Sequence, residues 1–210
     1  MSTVDLMDYA GVALFAATGS LAASRKQLDI IGFLFLGAVT GIGGGTVRDL
    51  ILGVPVFWVE QHLYILVCAA TAIIIYFTAH FLESRYRLLL WLDAVALAAY
   101  GVFGAYKGFI VTESATVAVV MGMITGTLGG IFRDVLAREA SVLLRQEIYV
   151  AAAMAGAVVF VTAYGGGMSR SLAVGTGFLV AFAVRGGGLR FGWTLPAYKS
   201  RPGRPPGNLY

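Results

Sequence analysis

The chain has 210 residues, of which 59% are hydrophobic and only 12% charged. A soluble globular domain usually carries about 25% charged residues, so this composition excludes an ordinary soluble domain and points to one polytopic membrane domain. The formal net charge of +4 comes from loops and the C-terminal segment, and no nucleic-acid partner is expected from it.

Apolar runs near the roughly 20 residues needed to cross a bilayer recur along the chain. The first candidate span covers about 6–23. It carries Asp8, follows Asp5 and has no Lys or Arg before Arg25. Without a basic leading region it is expected to stay in the mature protein. The second span, about 29–52, contains Gly37-Ala-Val-Thr-Gly-Ile-Gly-Gly-Gly-Thr-Val-Arg-Asp49. The third, about 62–82, holds the single cysteine, Cys68, which reads as a buried inert thiol. His62 and His80 sit at opposite ends of that span, too far apart to share a metal. The fourth span, about 90–107, begins close to Asp93. The fifth, about 115–137, contains Gly122-Met-Ile-Thr-Gly-Thr-Leu-Gly-Gly-Ile-Phe-Arg-Asp134. The sixth and seventh cover about 147–165 and 169–188, the last ending near Arg185 and three glycines. Trp58, Trp91, Trp193, Tyr64 and Tyr86 fit aromatic belts at span ends. The membrane domain is expected over 1–196, and 197–210 reads as a flexible basic tail.

Loop charges orient these spans. Arg25, Lys26, Arg85, Arg87, Arg138, Arg145, Arg185, Arg190, Lys199, Arg201 and Arg204 fall on one side, against Lys107 and Arg170 on the other. The positive-inside rule then predicts an external N-terminus and a cytoplasmic C-terminus.

The two glycine motifs lie 85 residues apart and share seven of 13 positions. The same offset takes Asp8 to Asp93, Gly19 to Gly104, Gln61 to Gln146 and Tyr64 to Tyr149 without a gap. The repeat unit is therefore three spans, about 5–82 and about 90–167, with the seventh span outside it. Three is odd, so the copies enter the membrane from opposite sides. The predicted fold is an all-α membrane protein built as an inverted 3+3 repeat plus a seventh helix, an architecture of transporters and channels.

Gly37, Gly41 and Gly45 recur every four residues, as do Gly122, Gly126 and Gly130. Such a bare stripe lets helix backbones approach closely in lipid. The additional Gly43-Gly44 and Gly129 add flexibility at about 0.8–1 kcal/mol each relative to Ala. On that basis spans two and five are expected to break at the glycines. Freed carbonyls with Thr40 and Thr125 would then bind K⁺ transiently. Close packing alone remains the alternative.

Arg48 and Arg133 lie within apolar spans, where an Arg costs about 2.5–3.5 kcal/mol and needs a partner. Asp49 is not expected to pair with Arg48, because adjacent helical residues point about 100° apart. Depth predicts Asp8–Arg48 and Asp93–Arg133 pairs instead, leaving Asp49 and Asp134 as acidic groups at opposite mouths. No Ser/His/Asp set or metal-ligand spacing supports an enzyme, and no cofactor is implied.

The doubled Gly-Gly-x-x-Arg-Asp motif, the 3+3+1 span count and the closing Gly192-Trp193-Thr194-Leu195-Pro196 resemble the prokaryotic trimeric intracellular cation (TRIC) channels. These fall within a broader set of small bacterial membrane proteins also labelled glycine transporters. The resemblance covers about residues 5–196. It implies a homotrimer in the lipid of a prokaryotic plasma (inner) membrane, with an ion path through each protomer. Carried over by motif, the path takes in Thr40, Gly41, Gly43, Gly44, Gly45, Thr125, Gly126, Gly129 and Gly130, with Arg48, Asp49, Arg133 and Asp134 alongside. The second copy departs from the first at Leu128, where Gly43 stands. The expected function is a monovalent, K⁺-permeable cation channel. The alternatives are a secondary transporter of glycine or another small amino acid and, further off, a structural assembly protein.

Overall fold

The computed structural model of the chain describes residues 3–81, 84–141 and 148–196. The expected tail 197–210, Gln146, residue 82 of the third expected span and residue 147 of the sixth lie outside them. Among the described residues the elements are α1 (Thr3–Arg25), α2 (Ile30–Leu52), the short α3 (Phe57–Glu60), α4 (Leu63–Thr78) with a 3-10 turn (Ala79–Phe81), α5 (Arg85–Thr112), α6 (Ala115–Leu136), α7 (Val150–Gly165) and α8 (Arg170–Phe191). Five helical stretches are long and apolar enough to cross a membrane: Ile30–Leu52, Leu63–Phe81, Arg85–Thr112, Ala115–Leu136 and Arg170–Phe191. Val150–Gly165 is apolar but shorter.

Local sequence sets the helix ends. Asp29 caps α2 by accepting from the Gly32 amide at 2.8 Å, and Gly53 closes it in the left-handed region at φ 65°. Ser84 and Ser114 cap α5 and α6 in the same way as Asp29. One apolar cluster joins Val12, Phe15, Phe57, Tyr64, Cys68 and Tyr100. Another joins Val102, Ala118, Ala157, Phe160 and Ala173. Leu66, Ile74, Phe77, Leu172 and Leu179 face outward, as a lipid environment allows. Cys68 is buried and free, as its sequence context indicates.

The expected breaks at the glycines do not occur. Helix α2 is continuous from Ile30 to Leu52, and α6 from Ala115 to Leu136. The reason is packing. A methyl group built on Gly44 would stand 2.5 Å from the Thr125 carbonyl oxygen, and one on Gly129 would stand 2.6 Å from that of Thr40. The two helices cross in backbone contact, and in apolar surroundings a freed amide would have no water to replace its helical bond.

The remaining stripe glycines behave alike. A methyl on Gly37 would meet Ser20 and Ala16, and one on Gly122 would meet Ala105 and the Gly101 carbonyl. Gly41 faces the Val12 carbonyl and Gly126 that of Leu97. Every one of these contacts reappears 85 residues later. The reciprocal pair Gly44–Thr125 and Gly129–Thr40 therefore marks the pseudo-two-fold axis.

Candidate functional site

Two clusters of buried charge flank the α2–α6 crossing. The first joins Asp8 of α1, Arg48 and Asp49 of α2, Phe57 of α3, Tyr64 of α4, and Tyr100, Phe103 and Lys107 of α5. Arg48 lies along α2 about 12 Å beyond Thr40, at 1.5 Å of rise per residue. Its Nε donates to Asp49 Oδ1 at 2.7 Å, and its guanidinium lies between the Phe57 and Phe103 rings, 5.7 and 5.4 Å from their centroids. Lys107 Nζ reaches the same Asp49 oxygen at 2.8 Å. The other oxygen accepts the Phe57 amide at 3.0 Å, which fixes the start of α3. Asp49 thus ties α2, α3 and α5 together.

Asp8 has a different set of partners. Tyr64 donates to Oδ2 at 2.6 Å and Tyr100 to Oδ1 at 2.7 Å. The expected Asp8–Arg48 ion pair is not formed. Two tyrosine hydroxyls occupy the Asp8 carboxylate, and Arg48 turns to Asp49 instead.

In the second cluster, Arg133 Nη1 donates to Asp93 Oδ1 at 2.6 Å, forming the expected pair between α5 and α6. Its Nε and Nη2 reach Asp134 Oδ1 at 3.0 and 2.9 Å. Arg185 of α8, fully buried, lies over the Tyr149 ring at 5.0 Å. Gly130 leaves room beside Asp93 and the Tyr149 hydroxyl.

The Arg–Asp neighbours therefore do pair, in both copies, contrary to the expectation from helix geometry. Backbone direction separates their Cβ atoms, but the long arginine stem turns its nitrogens back across that angle. Asp49 and Asp134 are consequently 0% and 3% exposed, engaged rather than open at the mouths.

The other motif residues line the crossing. Thr40 and Thr125 are buried, and each hydroxyl donates to the carbonyl four residues earlier, Leu36 and Met121, at 2.6 Å. Gly43 faces the Phe132 ring and Gly45 the Phe57 ring. Sequence reasoning missed Tyr64, Tyr100, Lys107, Tyr149 and Arg185 as members of the clusters. Tyr64 fitted an interface belt but is 5% exposed. The signal was available: Tyr64 and Tyr149 share the 85-residue offset with Asp8 and Asp93.

The family profile described as Glycine transporter matches residues 5–80 and again 90–162. The two matches begin 85 residues apart. A UPF0126 membrane protein of Vibrio cholerae is 39% identical, covering 94% of this chain and 83% of that protein. The UPF0126 inner membrane protein YadS of Escherichia coli K12 is also 39% identical, covering 91% of this chain and 94% of YadS. The crystal structure of the TRIC trimeric intracellular cation channel orthologue from Rhodobacter sphaeroides superposes with a TM-score of 0.89 at 49% identity, covering 92% of this chain and all of that one. These relatives are membrane proteins and channels, not enzymes. With its doubled profile match, its UPF0126 relatives and its TRIC fold, the chain belongs to the Glycine transporter family as a prokaryotic TRIC-type membrane protein.

Proposed function

We propose that this protein is a K⁺-permeable monovalent cation channel with one ion path inside each protomer of a homotrimer. The observation that carries this reading is the 49% identity and 0.89 TM-score with the Rhodobacter sphaeroides cation channel orthologue. The path runs past Thr40–Gly45 and Thr125–Gly130. The Asp8, Arg48, Asp49 and Lys107 cluster guards one mouth, and Asp93, Arg133 and Asp134 guard the other.

Continuous helices change the chemistry of the path. Ion ligands are the Thr40 and Thr125 hydroxyl oxygens, since the helix carbonyls stay bonded and Asp49, Asp93 and Asp134 are engaged by Arg48, Lys107 and Arg133. The backbone contact at Gly44 and Thr125 makes this conformation the closed one. Opening parts or bends α2 and α6 at Gly43–Gly45 and Gly129–Gly130, where helix stiffness is least. In this reading α1 and α7 complete seven spans. The excess of Lys and Arg in the loops on one side supports an N-terminus outside and a C-terminus in the cytoplasm of a bacterial inner membrane. Residues 1–196 then form one lipid-embedded domain, and 197–210 its basic tail.

The description of the matching family favours a second reading, a carrier for glycine or another small amino acid. Arg48 Nη1 supports it, as a buried donor with no hydrogen-bond partner among the described residues. Together with Asp8 it offers both charges that a zwitterion needs. Purified protein in proteoliposomes decides between the two. K⁺ flux with single-channel steps is expected. Saturable glycine uptake without K⁺ flux overturns the channel reading. Absence of both overturns permeation and leaves a structural protein with dry glycine faces.

A further inference from the structure

A cavity of about 250 Å³ opens between α5 and α8, beside the start of α1. Asp8, only 9% exposed, is among the residues that line it. Around it stand the rings of Tyr100, Phe103, Tyr106 and Phe178, and Arg170 lies at the rim. Asp8 accepts one hydroxyl on each oxygen, from Tyr64 and Tyr100. An ionised carboxylate offers about four acceptor positions, so half its capacity is unspent. Arg48 and Lys107 belong to the same cluster but both direct their charge to Asp49, at 2.7 and 2.8 Å. Among the described residues, no cationic side chain forms an ion pair with Asp8 itself.

Aromatic faces around one buried carboxylate select the ligand. Ring faces attract cations. Apolar walls disfavour a small ion that must shed its water, and they favour a cation whose charge is covered by alkyl groups. The carboxylate repels anions. The protein already holds one such cation at the rim: the Arg170 guanidinium lies 5.7 Å from the Tyr106 ring centroid and donates to its hydroxyl at 3.3 Å. Along the wall, a side-chain carbon built on Gly175 meets nothing within 4 Å, so apolar arms have space there. We propose that this groove binds an organic ammonium ion, its alkylated head held by Asp8, Tyr100 and Tyr106 and its apolar part lying along Gly175 and Phe178. The site shares Asp8 with the cluster at one mouth of the proposed ion path, and its occupancy is read by binding alone, without conduction.

The test is calorimetric titration of the purified protein with choline and with 3,3-dimethylbutan-1-ol, which has the same shape without the charge. Choline is expected to bind at least tenfold more tightly than the alcohol. Gly175→Leu, which fills open space, should abolish choline binding with the thermal midpoint unchanged. Asp8→Asn should weaken it by tenfold or more, and Arg170→Gln should strengthen it by removing the resident cation. Equal affinity for the two probes, no choline binding, or choline binding that survives Gly175→Leu overturns the proposal. The probe comparison and Gly175→Leu decide the matter even where Asp8→Asn fails to fold.

Discussion

Gly44 packs directly on the backbone of Thr125: a methyl added to it would stand 2.5 Å from the Thr125 carbonyl oxygen. Backbone cannot rotate out of the way as a flexible side chain does, so the two helices must separate to admit even alanine. Overpacking of this kind costs about 1–3 kcal/mol. Gly44→Ala and Gly129→Ala are each expected to destabilise the folded protein by about that amount. Gly175→Ala, into open space, should be neutral or slightly stabilising. Thermal unfolding of the three variants in detergent checks this, and equal midpoints for all three would contradict it.

The ion pairs differ in how solvent reaches them. Arg133 and Asp93 have side chains only 2% and 1% exposed, whereas Lys107 is 27% exposed on Asp49. Removing one member of a buried pair strands the other charge and costs about 3–5 kcal/mol. Water screens the outer contact, and its loss should cost about 1 kcal/mol or less. Arg133→Gln is therefore expected to be far more damaging than Lys107→Gln. A double-mutant cycle between Asp93→Asn and Arg133→Gln should give a coupling above about 1 kcal/mol. The corresponding Asp8 and Arg48 cycle should give a smaller one, since those two residues make no direct ion pair.

Much of this arrangement is legible in the chain. The offset of 85 residues fixes which helices correspond, and a stripe of small residues at every fourth position marks the faces that touch. Depth along the spans was sufficient to pair Asp93 with Arg133. It failed for Asp8 because two tyrosines from distant helices reach that carboxylate first, and side-chain competition of that kind leaves no periodic trace. The helical angle between neighbours failed for Arg48 and Asp49, because Cβ direction says little about the end of a four-bond side chain. The continuity of α2 and α6 was hidden for a related reason. Glycine weakens a helix locally, but tertiary contact with a second backbone outweighs the loss, and that contact depends on both repeats at once.

Tyr64 offers a test of the Asp8 cluster that leaves the fold intact. Its hydroxyl donates to Asp8 Oδ2 at 2.6 Å, while its ring packs on Tyr9 and Phe57. Tyr64→Phe keeps the ring and removes one of the two hydroxyls on the carboxylate. A hydrogen bond to a charged group is worth about 1.5–3 kcal/mol. The variant should lose stability within that range, and Tyr64→Leu should lose more, because ring packing goes as well. A thermal midpoint unchanged in Tyr64→Phe would mean that the hydroxyl contributes nothing.

The threonines at the crossing separate structure from conduction. Thr40 and Thr125 donate their hydroxyl hydrogens to Leu36 and Met121 within their own helices, each at 2.6 Å. The donated proton is committed, but each oxygen keeps a lone pair that can face a passing cation. Replacing Thr40 or Thr125 by Val removes that oxygen while nearly preserving shape. The lost intrahelical bond should cost only about 0.5–1.5 kcal/mol. If these oxygens replace part of the hydration shell of an ion, K⁺ flux in proteoliposomes should fall about tenfold in either variant and further in the pair. Flux that stays at the unmodified level, in variants that remain folded, would remove the threonines from the path.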